Sequence, residues 1–238
     1  MISLIAYLLR SYTRTQRYFA PLSGIVIAVL VLYSYKPNPV MNSYAATAVI
    51  LFIGCACMGL GFFNHEHAVQ KQIIIVHLRS ARKHSIGGIL CLSLLLLLLD
   101  ILIVTYPIVA GEFSESVGIY RIMLAGVGHA LLGLLGISIS LFLQSTWIAK
   151  RSHAVGLMLG VLILSIGGTQ ISELLKGIFM PLRILLPPVA PLMNALMNAD
   201  TLSFTSMLMS FIHVSLYVIL LIAIYLYRTG MKDYSRIT

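Results

Sequence analysis

Residues 86–110 read IGGILCLSLLLLLLDILIVTYPIVA, twenty-five positions interrupted by one charge, Asp100. A bilayer core is crossed by about 20 apolar residues in a helix. A membrane strand is about half that length and alternates apolar with polar side chains, which LSLLLLLL (92–99) does not. Inside lipid a helix satisfies its own backbone hydrogen bonds. This stretch is therefore predicted to be a transmembrane helix. Working outward, comparable stretches run Phe19–Tyr35, Ala45–Phe63, Ile119–Leu143, Ala154–Leu175 and Leu202–Tyr227. The expected fold class is an all-α integral membrane protein with six transmembrane helices.

The whole chain agrees with that class. Of its 238 residues 59% are hydrophobic and 10% charged, and mean hydropathy is +0.98. Soluble domains carry about a quarter charged residues, so a water-soluble enzyme is excluded. The net charge of +9 comes from basic residues scattered between apolar runs rather than gathered into a nucleic-acid surface. With the amino terminus inside, Arg10, Arg14, Arg17, Lys71, Arg79, Arg82, Lys83, Lys150, Arg151, Arg228, Lys232 and Arg236 fall on the cytoplasmic side. Only Lys36, Arg121, Lys176 and Arg183 fall outside. Cytoplasmic loops are enriched in Lys and Arg, which also meet anionic lipid there. Both termini are expected inside, in a multi-pass chain of the cell membrane.

Residues 1–18 differ from the spans. Met1, Ile2, Ile5, Leu8, Leu9 and Tyr12 recur at helical spacing, with Arg10, Arg14 and Arg17 toward the other side. That pattern predicts an uncleaved amphipathic interfacial helix turning into the first span near Pro21. Residues 19–238 then form one transmembrane domain. Within it, residues 176–201 hold GIFMPLRILLPPVAPLMNALM (177–197), apolar yet broken by Pro181, Pro187, Pro188 and Pro191. Proline disfavours a continuous helix, so short helices re-entering the outer leaflet are expected before the last span.

Motifs for chemistry are sparse. There is no phosphate-binding loop of the G-x-x-x-x-G-K-[ST] form and no G-x-S-x-G elbow. In His65-Glu66-His67 the histidines are two apart, which a helix places on different sides, and no metal site is expected. Cys55, Cys57 and Cys91 lie in apolar runs and read as packing residues. Asp100, His129 and His213 are ionisable groups inside predicted spans, a costly placement that raises a functional question. An Asp100–His129 pair would favour a proton relay, whereas separate hydrogen bonds would be structural. Gly156 and Gly160, and Gly126, Gly128, Gly133 and Gly136, offer close helix approach.

The linking segment 64–85, NHEHAVQKQIIIVHLRSARKHS, carries Ile73, Ile74, Ile75, Val76 and Leu78 between polar residues. Apolar side chains there need a cover, either a partner protein or lipid.

This order of parts resembles the permease subunit of a type 2 ABC transporter, with the ABCG-like membrane fold. The resemblance covers nearly the whole chain: the basic interfacial helix, the six spans, the loop after span two and the proline-containing segment before span six. It implies that 64–85 is the coupling loop, with Glu66, Lys71, Gln72, Ile74, Ile75 and Arg79 meeting an ATPase. It also implies two copies of a separate ABC ATPase subunit binding ATP and Mg, and a second permease, identical or related. Spans two and five would line a cargo path, through Thr47, Cys55 and Phe62 and through Thr169, Gln170 and Glu173. The resemblance further implies a bacterial exporter of an amphipathic peptide or drug-like cargo, with no catalytic residue in this chain. The alternatives are a proton-coupled secondary transporter and a membrane-embedded enzyme, both using Asp100 and His129.

Overall fold

The computed structural model describes residues 1–168, 170 and 186–231. Among these residues the fold is all-helical: α1 (Ile2–Arg14), α2 (Phe19–Leu32), α3 (Val40–Phe63), α4 (Ala68–Leu78), α5 (Ala81–Val109), α6 (Ile119–Ser140), α7 (Arg151–Ile166), α8 (Val189–Met197) and α9 (Phe204–Met231). Helices α3, α5 and α9, and α6 with the 3-10 turn that extends it to Leu143, are long and apolar enough to cross a membrane. They coincide with the expected second, third, sixth and fourth spans. Helix α2 has 14 residues, about 21 Å at 1.5 Å per residue, and is short of a span. It counts as a fifth only when joined to α1 across an 81° bend. Helix α7 has 16 residues, and of the remainder of the expected fifth span residues 169 and 171–175 lie outside the described residues.

The bend falls at residues 15–18, ahead of Pro21, where Gln16 takes a left-handed backbone with φ 55°. Pro21 instead sits in the first turn of α2, where an absent N–H leaves no helical bond unmade. The apolar face of α1 is not given wholly to lipid. Leu4, Leu8 and Tyr12 are buried against α3 and α5, and the Tyr12 hydroxyl lies 3.3 Å from the Met58 carbonyl.

Helices α3 and α6 pack most extensively and form the centre. A Cβ built on Gly136 would stand 2.4 Å from the Phe52 carbonyl oxygen and 3.0 Å from the Ala56 nitrogen. The two backbones touch, which only glycine permits at that position. Gly128 and Gly133 likewise admit Leu196 and Leu96, whereas Gly126, Gly156 and Gly160 face open space.

At one end of this core lies α8, whose Val189, Leu192 and Leu196 are buried against α3 and α6. It accounts for part of the proline-rich segment, of which 176–185 lies outside the described residues. At the same end Lys36 pairs with Glu112 at 3.0 Å, and Arg121 meets Asp200 at 3.0 Å and Glu115 at 2.6 Å. The opposite end gathers α1, α4, the start of α5 and the end of α9. Leu4 packs on Gly87, and the Arg82 guanidinium lies on Gly230.

Candidate functional site

That second end contains a connected polar group beneath α4. Helix α4 begins after His67, whose backbone is extended, and stops at Arg79, which takes φ 53°. Ser80 then caps α5 by accepting from the Lys83 amide at 3.2 Å. The basic stretch Ala81–Ser85 is therefore the first turn of α5 and not loop.

The faces of α4 are sorted. Ile75 is buried, and Ile74 and Leu78 are half-buried against the core. Val69, Ile73 and Val76 are exposed at 65–69%, and the i, i+4, i+7 spacing puts them on one stripe. Sequence reasoning chose Ile74 and Ile75 as outward contacts; they point in because the isoleucine run crosses from one side of the helix to the other. Gln72 and Arg79 are exposed.

From the inner side a chain of hydrogen bonds runs through the bundle. Lys71 Nζ, which can only donate, gives to Gln144 Oε1 at 3.1 Å. The Gln144 amide nitrogen gives to the Tyr225 hydroxyl at 2.8 Å. The Tyr225 hydroxyl also shares a hydrogen bond with Ser85 Oγ, 3.2 Å away, in which either hydroxyl can donate. Four elements are joined: α4, the turn after α6, α9 and α5. Gln70 donates to the Tyr7 hydroxyl and adds α1.

Beside this chain Glu66 Oε2 stands 3.0 Å from His84 Nε2, both side chains under 10% exposed. The contact is electrostatic rather than an aligned hydrogen bond, and Glu66 Oε1 has no hydrogen-bond partner among the described residues. Burial works against the Glu66 charge, but His84, then His65 and Lys71, outweigh it and hold the carboxyl below its ordinary range. His65 is buried between α1 and the end of α3. Its Nδ1 donates to the Phe62 carbonyl, so Nε2 accepts from Ser11 Oγ at 3.2 Å. Burial is the largest influence on His65 and lowers its pKa, favouring the neutral ring.

Sequence reasoning found Glu66 and Lys71 but not Gln144, Tyr225, Ser85, His84 or His65 as their company. Gln144 ends an apolar run and Tyr225 sits inside one, and nothing local pairs residues 81 positions apart.

The intramembrane ionisable groups do not converge. His129 is fully buried, with Nδ1 donating to the Ala125 carbonyl at 2.8 Å and Nε2 2.8 Å from Thr47 Oγ1. Both ring nitrogens are engaged by these partners, which fits the reading of separate structural hydrogen bonds rather than an Asp100–His129 pair. Asp100 is 7% exposed, and its Oδ1 has no hydrogen-bond partner among the described residues. His213 faces outward on α9. The residues chosen for a cargo path on span two are closed off as well: Thr47, Cys55 and Phe62 are buried in the packed core. Its more open positions include Ile50, Ile53 and Cys57. Gln170 is exposed, while Thr169 and Glu173 lie outside the described residues. Among the described residues no cluster of His, Cys, Asp and Glu is arranged to hold a metal ion.

No protein-family model, curated protein or solved structure matches the chain.

Proposed function

We propose that this chain is the membrane-spanning permease subunit of an ATP-driven ABC exporter of the type 2 class, moving an amphipathic peptide or drug-like cargo. In this reading α2 and α7 belong to spans one and five of six, and α8 belongs to an outer re-entrant segment. Two copies of a separate ATPase supply ATP and Mg chemistry, and a second permease completes the path. Both termini are cytoplasmic, in a bacterial cell membrane.

One observation carries the reading: α4 presents an exposed apolar stripe outward, while its Lys71 starts a hydrogen-bond network that reaches the end of α6, α9 and α5, and its Gln70 bonds to α1. A helix free on both sides would transmit nothing. A helix rooted in α1, α5, α9 and the end of α6 passes a push at Val69, Ile73 and Val76 to the spans themselves. ATP-driven closure of a partner would then favour one arrangement of the bundle over another, as coupling between two sites requires. A relay through Asp100 and His129 is the weaker reading, since His129 is engaged elsewhere.

The test is purification from the native membrane in mild detergent, followed by weighing of the intact complex. Two permeases with two ATPases are expected. Ile73→Asp combined with Val76→Asp should release the ATPases and leave the melting temperature of the chain within a few degrees. A preparation without ATPase in several detergents would sink the proposal.

A further inference from the structure

Away from the polar junction, the surface between α2 and α3 is cut by a groove of about 660 Å³, within the usual range for small-molecule sites. Its length follows from small side chains on both walls. Ala20, Gly24 and Ala28 recur every fourth residue on α2, and Cys57 and Gly61 line the α3 side, while Ile25 fills the space beside Gly54. Ile50 to Gly61 spans about 16 Å along a helix. A Cβ on Gly24 would meet nothing within 4 Å, so that glycine leaves space that no neighbour fills.

The groove changes character at one end. Arg17, from the bend between α1 and α2, and Arg151, at the start of α7, both line it there and both are exposed. The same two arginines, with Leu60 and Gly61, also line a second recess of about 190 Å³, which adds Asn64 and Ser145. A long apolar slot thus opens past two guanidinium groups into a smaller recess of mixed walls, where Asn64 and Ser145 sit beside Leu143 and Ile148. That is the outline of an amphiphile with an anionic head.

The depth of the arginines selects the occupant. They sit where α3 ends and where the basic residues of the chain collect, the level at which a membrane-spanning helix meets lipid headgroups. Guanidinium groups recognise phosphate through paired N–H donors, and headgroup phosphates of anionic lipids lie at that depth. We propose that this groove holds an acyl chain of an anionic membrane phospholipid, with its phosphate between Arg17 and Arg151. The site goes beyond the transport reading and needs no ATPase.

The test uses the full chain in neutral detergent doped with equal amounts of phosphatidylglycerol and phosphatidylcholine, with bound lipid counted by native mass spectrometry. One phosphatidylglycerol per chain is expected, retained at least tenfold over phosphatidylcholine. Gly24→Phe fills the slot and should abolish retention. Arg151→Gln should remove the headgroup preference. Ala28→Phe serves as a second block if Gly24→Phe does not fold. Retention unchanged in the folded variants, no lipid on the wild type, or an amphipathic peptide retained in place of lipid would each overturn the proposal.

Discussion

Helices α3 and α9 are almost equally apolar, and a hydropathy reading alone does not tell them apart. In the folded chain 61% of the apolar window of α3 is buried, against 17% for α9. The difference follows from size. Helix α3 carries Gly54 and Gly59, into whose space Ile25 and Ser140 project, and it receives Gly136 of α6 against its own backbone. Helix α9 is built from Leu, Ile, Met and Tyr and has one glycine, Gly230, near its end. In lipid, apolarity does not draw helices together; close approach and hydrogen bonds do. Small residues therefore choose the central helix, and large ones line the outside.

The comparison breaks most decisively at Gly136. Gly136→Leu forces a side chain into the Phe52–Ala56 backbone and should leave no monodisperse chain on size exclusion in detergent, whereas Leu216→Ala on the open side of α9 should elute like the wild type. Recovery of folded Gly136→Leu would mean that α3 and α6 do not hold the centre. A smaller effect separates the two buried and exposed histidines. Thr47→Val leaves His129 Nε2 unpaired and should cost about 1 kcal/mol, read as a lowered melting temperature, while His213→Leu should cost nothing measurable. The smallest effect is that of pH. His65 has a folded-state pKa below its unfolded value of about 6.5, so its contribution is intact above that pH. Stability is lost as pH falls below it, because the unfolded chain takes up the proton first. Glu66, also depressed, adds a loss of the same sign at lower pH. The melting temperature should therefore be lower at pH 5.5 than at pH 7.5, and His65→Gln should flatten that difference.

The long helices were legible because each is a long apolar run, and a run of that kind fixes helix and length together. Their ends were less so: α3 starts at Val40 and α5 at Ala81 because Pro39 and Ser80 supply the starts, and both lie outside the apolar runs. Facing was hardly legible. Where every side of a helix is apolar, periodicity carries no direction, and Thr47, Cys55 and Phe62 were assigned to a path although they point into the core. On α4, where polar residues interrupt the apolar ones, the outward stripe exists but runs through Ile73 and Val76, the residues flanking Ile74 and Ile75. The polar chain from Lys71 to Ser85 joins residues that only tertiary packing brings together, and its members are ordinary in their local settings.

The three cysteines sample two degrees of enclosure. Cys55 and Cys91 are sealed inside helix seams, while Cys57 stands half-covered on the wall of the α2–α3 groove. The folded molecule thus offers one thiol to a membrane-soluble alkylating dye and withholds two. Its native chemistry already contains a dye-attachment point beside that groove, with no engineered residue required.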